Sequence, residues 1–113
     1  MTNYPETVKD FFDYKYSESI IRNYIVEELE HLNRTDQDWF WFYISMYQTI
    51  SEGFIRDFKD FVNWSCIIIN QKLSEQFLIE FIEEVEIDWL KLNIKIPEEV
   101  KNRIINLKRM RTL

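Results

Sequence analysis

Gln48-Thr49-Ile50-Ser51-Glu52-Gly53-Phe54 and Gln71-Lys72-Leu73-Ser74-Glu75-Gln76-Phe77 lie 23 residues apart and share the pattern Gln-x-[Ile/Leu]-Ser-Glu-x-Phe. The same shift aligns Trp41 with Trp64 and Ile87, Ile44 with Ile67 and Leu90, and Phe58 with Phe81 and Ile104. A third copy follows at Ile94 to Val100, where Ile96-Pro97-Glu98 stands for the Ile50-Ser51-Glu52 and Leu73-Ser74-Glu75 of the others. An internal repeat of this length is the mark of a stacked-repeat architecture, and it governs the reading of everything around it.

Each copy reads as two short helices. Trp64, Ile67, Ile68 and Gln71 fall at i, i+3, i+4 and i+7, one helical face. Ser51 and Ser74 stand where a hydroxyl can accept from the unpaired amides of a new helix, with Glu52 and Glu75 in the favoured first turn. Pro97 suits a first helical position. Phe77, Leu78, Phe81, Ile82 and Val85 make the stripe of the second helix, Ser74 to Val85, while Gln76, Glu80, Glu83 and Glu84 make its solvated face. The alternation over Glu84 to Ile87 falls where the repeat places a turn. A helix pair with one apolar stripe buries it only against a neighbouring pair. Residues 36–113 are therefore expected as three repeats, the last a degenerate cap, and residues 1–35 as an N-terminal helical cap. That cap would hold helices over Pro5 to Tyr16 and Ser17 to Leu32. The expected fold is a single all-α domain over 1–113, a short array of 23-residue helix-turn-helix units with an N-terminal helical pair.

Composition agrees with a helical core. Apolar residues make up 46% and aromatic residues 17% of 113 residues, with one Gly and two Pro. Such a chain has the apolar surface for a core and few residues for tight β-turns. The aromatic run Trp39-Phe40-Trp41-Phe42-Tyr43 carries no charge. In the repeat register it lies on a helix, apolar all round and so buried on several sides; left uncovered, it would be a dimer surface.

Phe54-Ile55-Arg56-Asp57-Phe58-Lys59-Asp60, Asp60-Phe61-Val62-Asn63-Trp64 and Gln71 to Phe77 resemble short tandem repeats in proteins of giant DNA viruses, mimivirus-like and marseillevirus-like. Their unit reads Trp-x-x-Ile-Ser-x-x-Gln-x-Leu-Ser-Glu-x-Phe-Ile. The resemblance spans residues 41–104, strong in two copies and weak in the third, where Ile87 and Pro97 depart from it. It implies a helical repeat scaffold in a viral protein, with no catalytic residues to carry over. In some relatives the repeats are joined to an F-box-like module, which the opening helices here do not display.

The net charge of −6 is uneven: residues 1–100 carry all 20 acidic groups and a net of −11, whereas 101–113 carry five cations and no acid. Cations near a helix C-terminus suit its dipole. Alternatively they contact an acidic surface or a phosphate. Cys66 is the only cysteine, which fits a reducing intracellular setting, and no apolar run reaches the roughly 20 residues of a membrane helix. His31, with Glu27 at i−4, lacks a second His or Cys for a metal. Cys66 reads as a small buried hydrophobe. Glu80, Glu83, Glu84, Glu86 and Asp88 read as a solvated face, and Gly53 stands outside any phosphate loop.

The expectation is a non-enzymatic viral protein that acts by protein–protein contact, inside the host cell or packaged in the virion. Its interaction surface is expected to use Trp39, Trp41, Phe42, Lys108, Arg109 and Arg111, with a second copy as partner. No cofactor, metal, membrane or small-molecule substrate is expected. The alternative is a nucleic-acid-binding accessory protein that uses the basic C-terminal helix, against which the net −11 of the remaining chain stands.

Overall fold

A computed structural model describes residues 4–111 and is all-helical over them. Eight α-helices occur among the described residues: α1 Asp10–Asp13, α2 Glu18–Glu27, α3 Arg34–Tyr47, α4 Glu52–Asp57, α5 Trp64–Asn70, α6 Glu75–Glu80, α7 Ile87–Leu92 and α8 Glu98–Arg111. Short 3-10 turns follow α2 at Leu29–His31 and α6 at Ile82–Glu84. The chain forms two compact units, one ending at Asn63 and one starting at Trp64. Within the first unit α1, α2 and α3 share one core.

A side-chain cap starts four of these helices. The Oγ atoms of Ser51 and Ser74 accept from the amides of Phe54 and Phe77, both at 3.1 Å, and Ser17 Oγ accepts from Ile20 N at 3.4 Å. Asn33 Oδ1 accepts from Asp36 N at 2.8 Å and opens α3. Each such cap stabilises its helix by about 1 kcal/mol. Gly53 sits in the first turn of α4 at no special backbone angle, and a Cβ there would meet only Ser51 Oγ at 3.7 Å. It accommodates no close neighbour.

In the unit ending at Asn63, the core is aromatic. The Phe11 ring meets Tyr24 (4.9 Å, 77°), Phe40 (5.1 Å, 90°) and Tyr16 (5.2 Å), and Tyr24 stacks on Phe40 at 5.5 Å. The buried Gln48 amide clasps the chain ahead of α2. Its Nε2 donates to the carbonyls of Phe11 and Tyr14 at 2.6 and 2.7 Å, and its Oε1 accepts from Tyr16 N at 2.9 Å. That clasp explains why the expected helix over Pro5 to Tyr16 shortens to Asp10–Asp13. At its start, Asp10 Oδ2 accepts from the amides of Glu6 and Thr7 and closes a turn instead. Ser17 to Leu32 is likewise divided, at Glu28, into α2 and a 3-10 turn. Glu18 Oε1 accepts from Ser51 N, and Arg22 pairs with Asp57 at 2.9 Å. Both contacts advance together along the chain, so α2 and α4 run parallel.

In the unit starting at Trp64, the Trp64 ring packs on Phe77 and Phe81 (6.3 and 5.1 Å), over a core of Ile67, Ile68, Leu78, Val85, Leu90 and Ile104. Here Asn93 is the clasp. Its Nδ2 donates to the carbonyls of Ile68 and Gln71 at 2.8 and 2.9 Å, and its Oδ1 accepts from Lys95 N and Ile96 N at 2.7 and 2.9 Å. Ile94, aligned with Gln48 and Gln71 by the 23-residue shift, is instead 94% exposed, and its polar neighbour Asn93 is the buried residue. The register recovers at Ile96, buried like Ile50 and Leu73. Lys101 occupies the position of Ile55 and Leu78; it is buried, and its Nζ donates to Asn93 O at 2.6 Å and meets Glu98 at 3.1 Å. The expected second helix, Ser74 to Val85, breaks at Phe81 into α6 and the 3-10 turn.

Candidate interaction surface

The aromatic run of α3 divides between two faces. Phe40, Trp41, Ile44 and Ser45 point inward. Trp41 is 8% exposed and packs on Phe58 and Phe61, both at 5.6 Å, so it belongs to the core and not to a surface. The opposite face carries Trp39, Phe42, Tyr43 and Tyr47. Trp39 stacks on Tyr43 at 5.5 Å and 25°, with Phe42 edge-on at 5.7 Å, and Tyr43 leads to Tyr47 at 6.3 Å. Phe12 closes the row against Tyr47 (4.8 Å, 87°) and Tyr43 (5.7 Å). Trp39 is 49% and Phe12 46% exposed, and the other three are half-buried. Five rings thus form one continuous ridge. Aromatic rings of this kind dominate protein interfaces by area and by their fixed shape.

Of the surface residues expected from sequence, Trp39 and Phe42 lie on the ridge and Trp41 beneath it. Tyr43 and Tyr47 were signalled by their i+4 and i+8 spacing from Trp39, a signal overlooked beside the denser Trp39 to Phe42 run. Phe12 comes from a distant helix, and nothing local announces it.

The cations of α8 belong to the other unit and already have partners there. Arg103 grips Glu75 with two bonds of 2.9 Å, Lys108 Nζ donates to Ile82 O at 3.0 Å, and Arg111 pairs with Glu83. The sequence separations, 28, 26 and 28, show α8 running parallel to α6 and its 3-10 extension. Arg109 is exposed beside a shallow recess lined by Glu86, Ile87, Asp88 and Lys108. The Arg103 guanidinium lowers the Glu75 pKa, chiefly by hydrogen bonding, and Glu75 in turn raises that of Arg103. A carboxyl held low when folded contributes stability above its unfolded pKa and loses it as pH falls through the folded value. Glu75→Gln is therefore expected to lower the thermal midpoint at neutral pH. The gap from wild type should close as pH is taken below the ordinary carboxylate range, measured by circular dichroism across a pH series.

The remaining reactive groups stay apart. His31 is exposed near Glu30 (3.7 Å), burial pushes the Cys66 thiol pKa up, and among the described residues no three His, Cys, Asp or Glu side chains gather as a metal set. No described helix is long and apolar enough to cross a membrane. No protein-family model matches the chain, and no curated protein or solved structure is significantly similar to it. The fold defines the class: an all-helical protein of short helices.

Proposed function

We propose that this chain is a non-enzymatic helical-repeat protein of the giant DNA virus type that works by protein–protein contact, with the α3 ridge as its contact surface. The observation that carries the reading is the ridge itself: five contiguous aromatic rings held on α1 and α3, with Trp39 and Phe12 half open to solvent. The repeat-array reading draws support from helix starts at Glu52, Glu75 and Glu98, each 23 residues from the next. It draws further support from parallel stacking within each unit, α4 beside α2 and α8 beside α6. Repeat scaffolds of this kind offer extended surfaces to partners. The partner is a protein met inside the host cell or in the virion. Nucleic-acid binding by α8 is the weaker reading, since residues 1–100 carry a net charge of −11 that repels a polyanion.

The test is photo-cross-linking in infected host cells, with benzoylphenylalanine in place of Phe42 and, as control, in place of the more exposed Ile94. The reading expects protein adducts at 42 that are absent at 94 and lost on adding Trp39→Ala. No adducts at 42, or the same set at both positions, would contradict it.

A further inference from the structure

The chain contains its own example of what such rings hold. The Arg22 guanidinium lies over the Phe54 and Phe58 rings, 5.1 and 5.6 Å from their centroids, while Nη2 bonds Asp57 at 2.9 Å. A guanidinium suits this arrangement because it is planar, weakly hydrated and able to stack and donate at once. The ridge presents the same parts outward. Trp39 and Tyr43 are a stacked ring pair, Asp36 stands at i−3 from Trp39, and Asp38 at i−4 from Phe42, which places both carboxylates on the ridge's side of the helix. Asp38 is paired only with Arg34, at 3.2 Å, both side chains being more than half exposed. Such an exposed pair is worth little and exchanges readily.

We infer that the ridge takes an arginine-bearing basic segment of a partner protein, its guanidinium groups lying on Trp39 and Tyr43 and pairing with Asp36 and Asp38. The inference rests on the contact reading above and names the partner's chemistry. Charge favours this occupant over a second copy docked ridge to ridge. The unit that carries the ridge has twelve acidic against six basic side chains, a net of −6, so two copies meeting at their ridges repel while a basic segment is drawn in.

The test titrates the full chain with an alternating Arg-Ser peptide, followed by amide and indole NMR shifts, with Lys-Ser and Glu-Ser peptides for comparison. The Arg-Ser peptide should shift Phe12, Trp39, Phe42, Tyr43 and Tyr47 and bind several-fold more tightly than Lys-Ser, with Glu-Ser inert. Trp39→Ala with Tyr43→Ala should weaken it about tenfold, two cation–π contacts' worth. Asp38→Asn, which leaves the rings in place, should weaken it without moving the far-ultraviolet spectrum. No binding at millimolar peptide, equal binding of Arg-Ser and Lys-Ser, or binding indifferent to the Trp39 and Tyr43 changes would overturn the inference. So would light scattering that shows a dimer abolished by Trp39→Ala, since a second copy would then own the ridge. If Phe42 cross-links proteins in cells and the Arg-Ser peptide neither binds nor competes, the contact reading stands and only this inference falls.

Discussion

Asn93→Ala is expected to destabilise the protein by about 3–4 kcal/mol, a large part of the roughly 5–15 kcal/mol that a domain commands. The side chain is fully buried and makes four bonds, two to carbonyls near the end of α5 and two from amides ahead of α8. Alanine removes both the donor and the acceptor and leaves those groups without their partner. A buried polar group so stranded costs about 1–3 kcal/mol; Lys95 lies at the surface, so water relieves part of the loss there. The Lys101 amine donates to the main-chain carbonyl of Asn93, which alanine retains, so that bond is not part of the loss. Asn93→Asp should cost a similar amount at neutral pH, because a carboxylate cannot donate to the carbonyls of Ile68 and Gln71. Urea unfolding followed by circular dichroism measures both; midpoints within experimental error of wild type would show that the clasp does not hold the chain.

Phe11→Ala is the second large effect, about 4 kcal/mol. Removal of a buried Phe side chain costs about 3–5 kcal/mol from lost transfer energy and the cavity left behind. Phe11 lies at the junction of three other rings, Tyr16, Tyr24 and Phe40, and is the buried residue of a helix of only four residues. Edge-to-face pairs add about 0.5–1.5 kcal/mol beyond area. Phe11→Leu, which refills most of the volume but makes no ring contact, should recover about half of the loss. Chemical unfolding of both variants checks the order; equal stability of Phe11→Ala and wild type would remove Phe11 from the core.

Much of the helical layout was legible because its causes are local. Ser51 and Ser74 cap the amides three residues ahead, and the stripes from Trp64 and from Ser74 were read from spacing alone. What escaped was set from afar. Gln48 bonds Phe11, Tyr14 and Tyr16 across more than thirty residues, and nothing within Pro5 to Tyr16 reveals that its helix stops early. Strict application of the 23-residue shift put Ile94 at a buried position; the amide that the position needs is supplied by Asn93, one residue earlier. In α3 the aromatic residues follow one another so closely that periodicity could not choose between Trp39 and Trp41. The core chose Trp41, because Phe58 and Phe61 reach it, and left Trp39 outside with Tyr43. The ridge was therefore half legible, its helix and two of its rings foreseen, with Phe12 unannounced.

The claim beneath all of this is that the 23-residue helix pair is an interchangeable unit. It is tested most directly by excising one. Deletion of residues 51–73 joins Ile50 to Ser74 and preserves the register, so that Ser74 caps and Phe77 packs where Ser51 and Phe54 did. The account predicts a shorter protein with a helical spectrum and a cooperative urea transition, whereas a deletion four residues shorter, which breaks the register, loses both. Loss of helical signal and cooperativity in the 51–73 deletion, matching the out-of-register control, would contradict it.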